Sequence, residues 1–147
     1  MVRGKPKQFQ GLYQSRHIRN FGCLIVEHEP LVIDMMKDLV GSRDDLKLLG
    51  VVTEMEQLAK VTETIVPEII FLDLVIPLGN CGDFHFGKLP SESSIVVVSA
   101  IPLSHYKNRY QLANPRQLYK PVSLERFNRC VDEVILERIE QQNGQRG

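Results

Sequence analysis

A lone carboxylate, Asp73, closes the apolar run Ile69–Ile70–Phe71–Leu72. Ser99 and Lys120 each stand just after a later apolar or strand-like segment. In a parallel sheet, side chains at the carboxyl ends of the strands face one crevice. An anion, a hydroxyl and an ammonium gathered there suit phosphoryl chemistry or phosphate sensing. The carboxylate would attack phosphorus, and the hydroxyl and ammonium would bind its oxygens. Such chemistry ordinarily uses a divalent ion held by further carboxylates. The acidic stretch placed to supply them is Glu27–His28–Glu29, broken in its middle by an imidazole.

These residues can meet only if strands and helices alternate, and the chain has that pattern. Cys23–Val26 is a short continuous apolar run, as expected of a strand buried on both faces. Pro30 suits the first turn of a helix, where its missing N–H costs nothing. Leu31, Val32, Met35, Met36 and Leu39 give that helix an apolar stripe, and Gly41–Ser42 end it. Leu46–Val52 reads as a second strand, and Met55, Leu58, Ala59 and Thr62 or Ile65 mark a second helix closed near Pro67. Ile69–Leu74 is the third strand. A Gly/Asn loop follows, then at most two helical turns over Phe84–Leu89. Ile95–Val98 is a fourth strand, and Leu103–Ala113 is read as a polar fourth helix broken at Asn114–Pro115. Gln117–Tyr119 leaves room for a short fifth strand. Ser123 is placed as the N-cap of a last helix. Its buried face is assigned to Leu124, Phe127, Val131, Val134 and Leu136 or Ile139. Five strands alternating with five helices require a parallel sheet covered on both faces, a small doubly wound α/β fold.

The chain has 147 residues, the size of one ordinary domain, and 43% of them are hydrophobic, enough for a real core. Lys plus Arg and Asp plus Glu both number 18, so the charge balance points neither to nucleic acid nor to an anionic membrane. Residues 1–20 are a basic exception (Arg3, Lys5, Lys7, Arg16 and Arg19 with no acid) and read as a flexible arm. Residues 21–140 read as the folded domain, and 141–147 as a polar, frayed tail. No apolar run approaches the ~18 residues of a membrane span, and the N-terminus lacks a signal-peptide core. The three cysteines form no CxxC pair, which suits a reduced cytoplasmic compartment, and Cys23 and Cys130 fall at core positions. There is no Walker A motif and no dinucleotide fingerprint.

Four stretches carry a resemblance: Leu24–Ile25–Val26–Glu27–His28–Glu29–Pro30, Ile70–Phe71–Leu72–Asp73–Leu74–Val75–Ile76–Pro77, Val97–Val98–Ser99–Ala100 and Leu118–Tyr119–Lys120–Pro121. In this order and spacing, from about Phe21 to Glu140, the chain resembles the receiver domain of a bacterial two-component response regulator. The wording is closest to receivers that precede LytTR-type DNA-binding domains. The resemblance implies a CheY-like sheet of order 2-1-3-4-5. It sets Asp73 on the phosphoacceptor position, Ser99 on the hydroxyl that bonds the phosphoryl group, and Lys120 on the family's lysine. Glu27 and His28 fall on the acidic pair that helps hold Mg²⁺, and Val75 on the residue whose backbone carbonyl completes the metal site. Implied partners are a sensor histidine kinase or phosphotransfer protein. A homodimer or an effector would use the surface of the fourth helix, fifth strand and fifth helix. Neither a membrane nor direct nucleic-acid binding within this chain is implied.

Two departures bear on the chemistry. Mg²⁺ requires near-octahedral oxygen ligation, and His28 replaces a charged oxygen ligand by a softer neutral nitrogen. Glu27, one methylene longer than Asp, could reach inward in compensation. An imidazole bonded to Asp73, or a softer ion such as Zn²⁺ or Mn²⁺ on Glu27, His28 and Asp73, are the alternatives to Mg²⁺. The family's aromatic switch position is Gln117. Two signalling readings follow. One is a receiver phosphorylated on Asp73; the other is a pseudo-receiver that kept the fold and an interaction surface and lost the metal chemistry. A third, a small aspartate-dependent phosphatase, wants a second acid two residues after the nucleophile, where this chain has Val75.

Overall fold

The computed structural model describes residues 19–77, 79, 86–106 and 111–146. Five strands form one sheet: β1 (Phe21–Val26), β2 (Leu46–Val52), β3 (Ile69–Leu72), β4 (Ser94–Ser99) and β5 (Arg116–Tyr119). Their order is β2-β1-β3-β4-β5, and every pair is parallel. The α-helices among the described residues are α1 (Pro30–Gly41), α2 (Met55–Thr64) and α3 (Leu124–Arg146). No helix among them is long and apolar enough to cross a membrane.

The strands are apolar on both faces because both are covered. Phe21, Cys23 and Ile25 of β1, with Ile69, Phe71, Val96, Val98 and Leu118, pack against Met36, Leu39 and Val40 of α1 and Phe127, Val131 and Val134 of α3. The Phe71 and Phe127 rings meet at 5.5 Å between centroids. Leu24, Val26, Ile70, Leu72, Ile95 and Val97 face the other way, onto Met55 and Leu58 of α2 with Leu74, Ile76, Phe86 and Leu89. Cys23 and Cys130 are buried, and burial pushes their thiols up to about 12 and about 11, so both stay protonated. Cys81 lies outside the described residues.

Several local expectations need adjusting. Of the expected third helix the described part is a 3₁₀ turn at Phe86–Lys88, and Phe84 and His85 lie outside the described residues. The described start of the expected fourth helix is a 3₁₀ turn at Leu103–His105, not α-helix. A polar, β-branch-poor stretch without a cap leaves its turn to be held by side chains from elsewhere. Asn114, at φ 46°, ends that segment. Leu31, at 84% exposure, drops out of the α1 stripe because the first turn stands at the rim of the sheet, and Val40 joins it. Leu124, Leu136 and Ile139 are exposed on α3. Ser123 caps that helix as expected, accepting from Arg126 N at 3.2 Å. The helix then continues through the polar stretch read as a frayed tail. Arg138 ties it to the far rim, donating to the carbonyls of Glu68 and Glu92 at 2.9 Å.

Candidate functional site

The site is assembled at the point where each strand stops. β1 is the middle strand from which the chain crosses outward in both directions, so the carboxyl ends of β1 and β3 flank the crevice. Glu27 is the first residue beyond β1 and Asp73 the first beyond β3. The ladder carries one step past the strands to fix them. Glu27 N donates to Val52 O at 3.0 Å and Asp73 N to Val26 O at 2.9 Å. Lys120, the first residue beyond β5, is set the same way by its N–H on Ser99 O at 2.9 Å. The Lys120–Pro121 peptide bond is cis.

Alternation decides which of these side chains meet. Glu27, Asp73 and Lys120 continue the face of Ile25, Phe71 and Leu118, and they converge. Lys120 Nζ lies 3.1 Å from Glu27 Oε1, 3.3 Å from Asp73 Oδ2 and 3.3 Å from Glu29 Oε1. Glu27 and Asp73 are 2% and 1% exposed, while Glu29 lies at the surface. Each buried carboxylate is also held from the backbone. Val75 N donates to Asp73 Oδ1 at 2.9 Å, and Glu29 N donates to Glu27 Oε2 at 3.3 Å. His28 comes last. Its Nδ1 stands 3.9 Å from both Glu27 Oε2 and Asp73 Oδ2, beyond direct hydrogen bonding, with the side chain 39% exposed. Glu27, His28 and Asp73 each offer one ligand atom within 4.8 Å of the others, so these three could hold a metal ion.

Burial raises the Glu27 pKa above its ordinary value, and the neighbouring Asp73 charge and a hydrogen bond to Asp73 raise it further, with Lys120 opposing. Burial works to lower the Lys120 pKa, but the hydrogen bond to Glu27, the charges of Asp73 and Glu27 and the hydrogen bond to Glu29 outweigh it, so the ammonium is held.

Ser99 and Gln117 continue the opposite face, that of Val97. The Ser99 hydroxyl is buried at the same rim, but it donates to Ile101 O at 2.8 Å and accepts from Gln117 Nε2. Gln117 also donates to Ile101 O at 3.1 Å and accepts from Leu103 N at 2.7 Å. Among the described residues, then, Glu27, His28, Asp73 and Lys120 are brought together, Val75 joins through its N–H, and Ser99 is engaged with Gln117. Sequence reasoning passed over two participants. Glu29, given no part beyond its place in the acidic stretch, accepts from Lys120. Gln117 was noted only for lacking an aromatic ring. Its strand parity with Ser99 was the available signal.

No sequence-family profile matches the chain, and no curated protein matches it by sequence. Solved structures do. The signal receiver domain of a modulated diguanylate cyclase from Desulfovibrio desulfuricans G20 superposes with a TM-score of 0.68 at 21% identity, covering 83% of this chain and 98% of its own. The response regulatory domain of mrkE from Klebsiella pneumoniae gives 0.66 at 17%, covering 81% and 98%. The receiver domain of the sensor histidine kinase PA1611 from Pseudomonas aeruginosa PAO1, solved with a magnesium ion coordinated in its active-site cleft, gives 0.63 at 17%, covering 79% and 98%. The chain has the receiver fold. At these identities the likeness extends to the fold and the sheet order, and the chemistry rests on the residues themselves.

Proposed function

We propose that this chain is a receiver-type signalling domain whose aspartate pocket is held by an internal ammonium in place of Mg²⁺. The observation that carries the reading is Lys120 Nζ within 3.3 Å of Glu27, Asp73 and Glu29. That contact neutralises charge which a dication would otherwise meet. The donor set left over fits Mg²⁺ poorly. Mg²⁺ takes hard oxygens in octahedral array, and here one of three positions is an imidazole nitrogen. Information would then pass through the surface of β5 and α3, which offers Tyr119, Leu136 and Ile139. That surface suits a partner protein or a second copy. A cytoplasmic setting accords with two protonated, buried thiols.

A second reading has its own support. Asp73 sits at the end of β3 with Lys120 3.3 Å away, the arrangement a phosphoryl acceptor needs. In that case Asp73 would attack the phosphorus of a phosphohistidine on a kinase or phosphotransfer protein. An O–P bond forms as the P–N bond breaks, and Lys120 neutralises the product.

Beryllofluoride or acetyl phosphate with Mg²⁺ separates the two. The first reading expects no adduct by mass and a flat Mg²⁺ titration of the amide resonances, with His28→Asp gaining both. An adduct on Asp73 in the unaltered chain overturns it in favour of the second.

A further inference from the structure

We propose that the cavity at the amino ends of β4 and β5, beside Arg138 of α3, binds a phosphate group, either free phosphate or the monoester of a small molecule. The cavity lies at the other end of the strands from the Asp73 pocket, roughly 17 Å away along the six residues of β4.

Arg138 is set up to receive an anion. Its Nη1 is fixed by three neutral oxygens, the carbonyls of Glu68 and Glu92 at 2.9 Å and Ser94 Oγ at 2.8 Å. It forms no ion pair among the described residues, and the Glu68 carboxylate is taken by Arg19 and by Gly22 N. Nε is buried with no partner; Nη2 has none either, but solvent reaches it. Nε and Nη2 form one edge of the guanidinium plane, a fork that meets two oxygens of an oxyanion side by side. An oxyanion entering at Nη2 therefore satisfies Nε as well. A buried, charged donor without an acceptor is costly, so filling the site is favourable. Burial lowers the Arg138 pKa, with the Glu68 charge opposing and the Arg19 charge adding to the fall, as befits a cation short of counter-charge.

The cavity holds about 230 Å³, far above the ~10–15 Å³ that admits one water. Ser91, Ser94, Asn114 and Gln141 line it together with Arg138. The side chains of Ser91, Asn114 and Gln141 have no hydrogen-bond partner among the described residues. Ser94 Oγ accepts from Arg138, which leaves its own hydrogen to give. Two guanidinium donors, two hydroxyls and two amides exceed the roughly four acceptor sites of a carboxylate. They suit the three or more strong acceptor oxygens of a phosphate. Glu92 and Glu137 line the cavity too. Glu137 is answered by Arg116 at 3.3 Å, and Glu92 is exposed, so its carboxylate can turn to water.

The test is a heteronuclear NMR titration of the whole chain with orthophosphate, glycerol phosphate and acetate, each at constant ionic strength in chloride. Orthophosphate or glycerol phosphate is expected to bind saturably. It should move the Arg138 Nε–H and the amides of Ser94 and Asn114, and leave Val75, beside the Asp73 pocket, in place. The tighter of the two identifies the source, free phosphate or monoester. Gln141→Glu, on an exposed turn of α3, should weaken binding by about tenfold or more, the worth of one charge-assisted hydrogen bond. Arg138→Lys keeps the charge and loses the two-donor edge, and should weaken it likewise. Far-UV circular dichroism checks that variant, and Gln141→Glu carries the test if it does not fold. No saturable response at Arg138 Nε–H, binding that Gln141→Glu leaves unchanged, acetate held as tightly as phosphate, or shifts centred on Val75 and Lys120 each overturn the inference.

Discussion

Two halves of one rim behave differently. At the ends of β1, β3 and β5, on the α1/α3 face, charged groups close on one another: Glu27, Asp73 and Glu29 around the Lys120 ammonium. At the ends of β4 and β5, on the opposite face, neutral groups do the same: Ser99, Ile101 and Leu103 around the Gln117 amide. Neighbouring residues 117–120 of one strand end feed both clusters, because consecutive side chains alternate between faces. In a phosphorylation switch these halves must act together, since the hydroxyl on β4 has to bind what the aspartate on β3 receives. Here each half is satisfied internally. A group already paired in a low-dielectric setting gives up its partner only at the cost of leaving that partner bare.

The largest break of that comparison is Lys120→Met. It leaves Glu27 and Asp73, both almost fully buried, without their cation. Removing one partner of a buried ion pair costs about 3–5 kcal/mol. The loss should fall toward the lower figure because Glu27 can take up a proton, and it should shrink further in acid. Urea unfolding at pH 7 and pH 4 checks both. A loss under about 1 kcal/mol at pH 7, the scale of an exposed ion pair, would show that the ammonium does not hold the pocket.

The charged half was more legible in the sequence than the neutral one. Asp73 and Lys120 follow apolar runs whose length and composition fix them as strand ends, so their meeting follows from sheet order alone. Glu27 reaching inward follows from its parity with Cys23 and Ile25. The neutral half depends on a segment with no usable period. Residues 103–113 carry scattered polar and aromatic side chains that read as a helix stripe, while the described start is a 3₁₀ turn. What orders the described start of that segment is a side chain fourteen residues away, Gln117 on Leu103 N. Local propensity contains no trace of such a tertiary bond. The 3₁₀ turn Phe86–Lys88 stops short of Pro90, a local effect that the proline makes legible in the sequence.

Gln117→Ala is the break of intermediate size. It removes the acceptor of Leu103 N and a donor to Ile101 O and Ser99 Oγ, for about 1–3 kcal/mol. Amide exchange of Leu103 should accelerate more than that of Val97 in the adjacent core strand. Combining this change with Lys120→Met sharpens the comparison. If the halves are independent, the two losses add within about 0.5 kcal/mol. A larger coupling energy would mean that the rim still relays between its faces.

The smallest effect expected is on the pH dependence of stability, through Glu27. Its pKa is raised from 4.5 in the folded chain, by burial first and by Asp73 second. Between the unfolded and folded values the native state holds a proton that the unfolded chain has released. The stability tied to that proton is complete below the unfolded value and is lost as pH rises through the folded one. Glu27→Gln makes the neutral form permanent. Its amide keeps an oxygen for Lys120 and places an N–H toward Asp73, so at pH 4 the variant should lie within about 1 kcal/mol of the unaltered chain. As pH climbs toward neutrality its relative stability should improve, and the curve should flatten. Melting temperatures taken across that range decide the matter. Parallel curves for the two proteins would mean that Glu27 is ionised throughout. Lys120 would then face two buried anions across the whole range, and the charged half of the rim would rest on that ammonium alone.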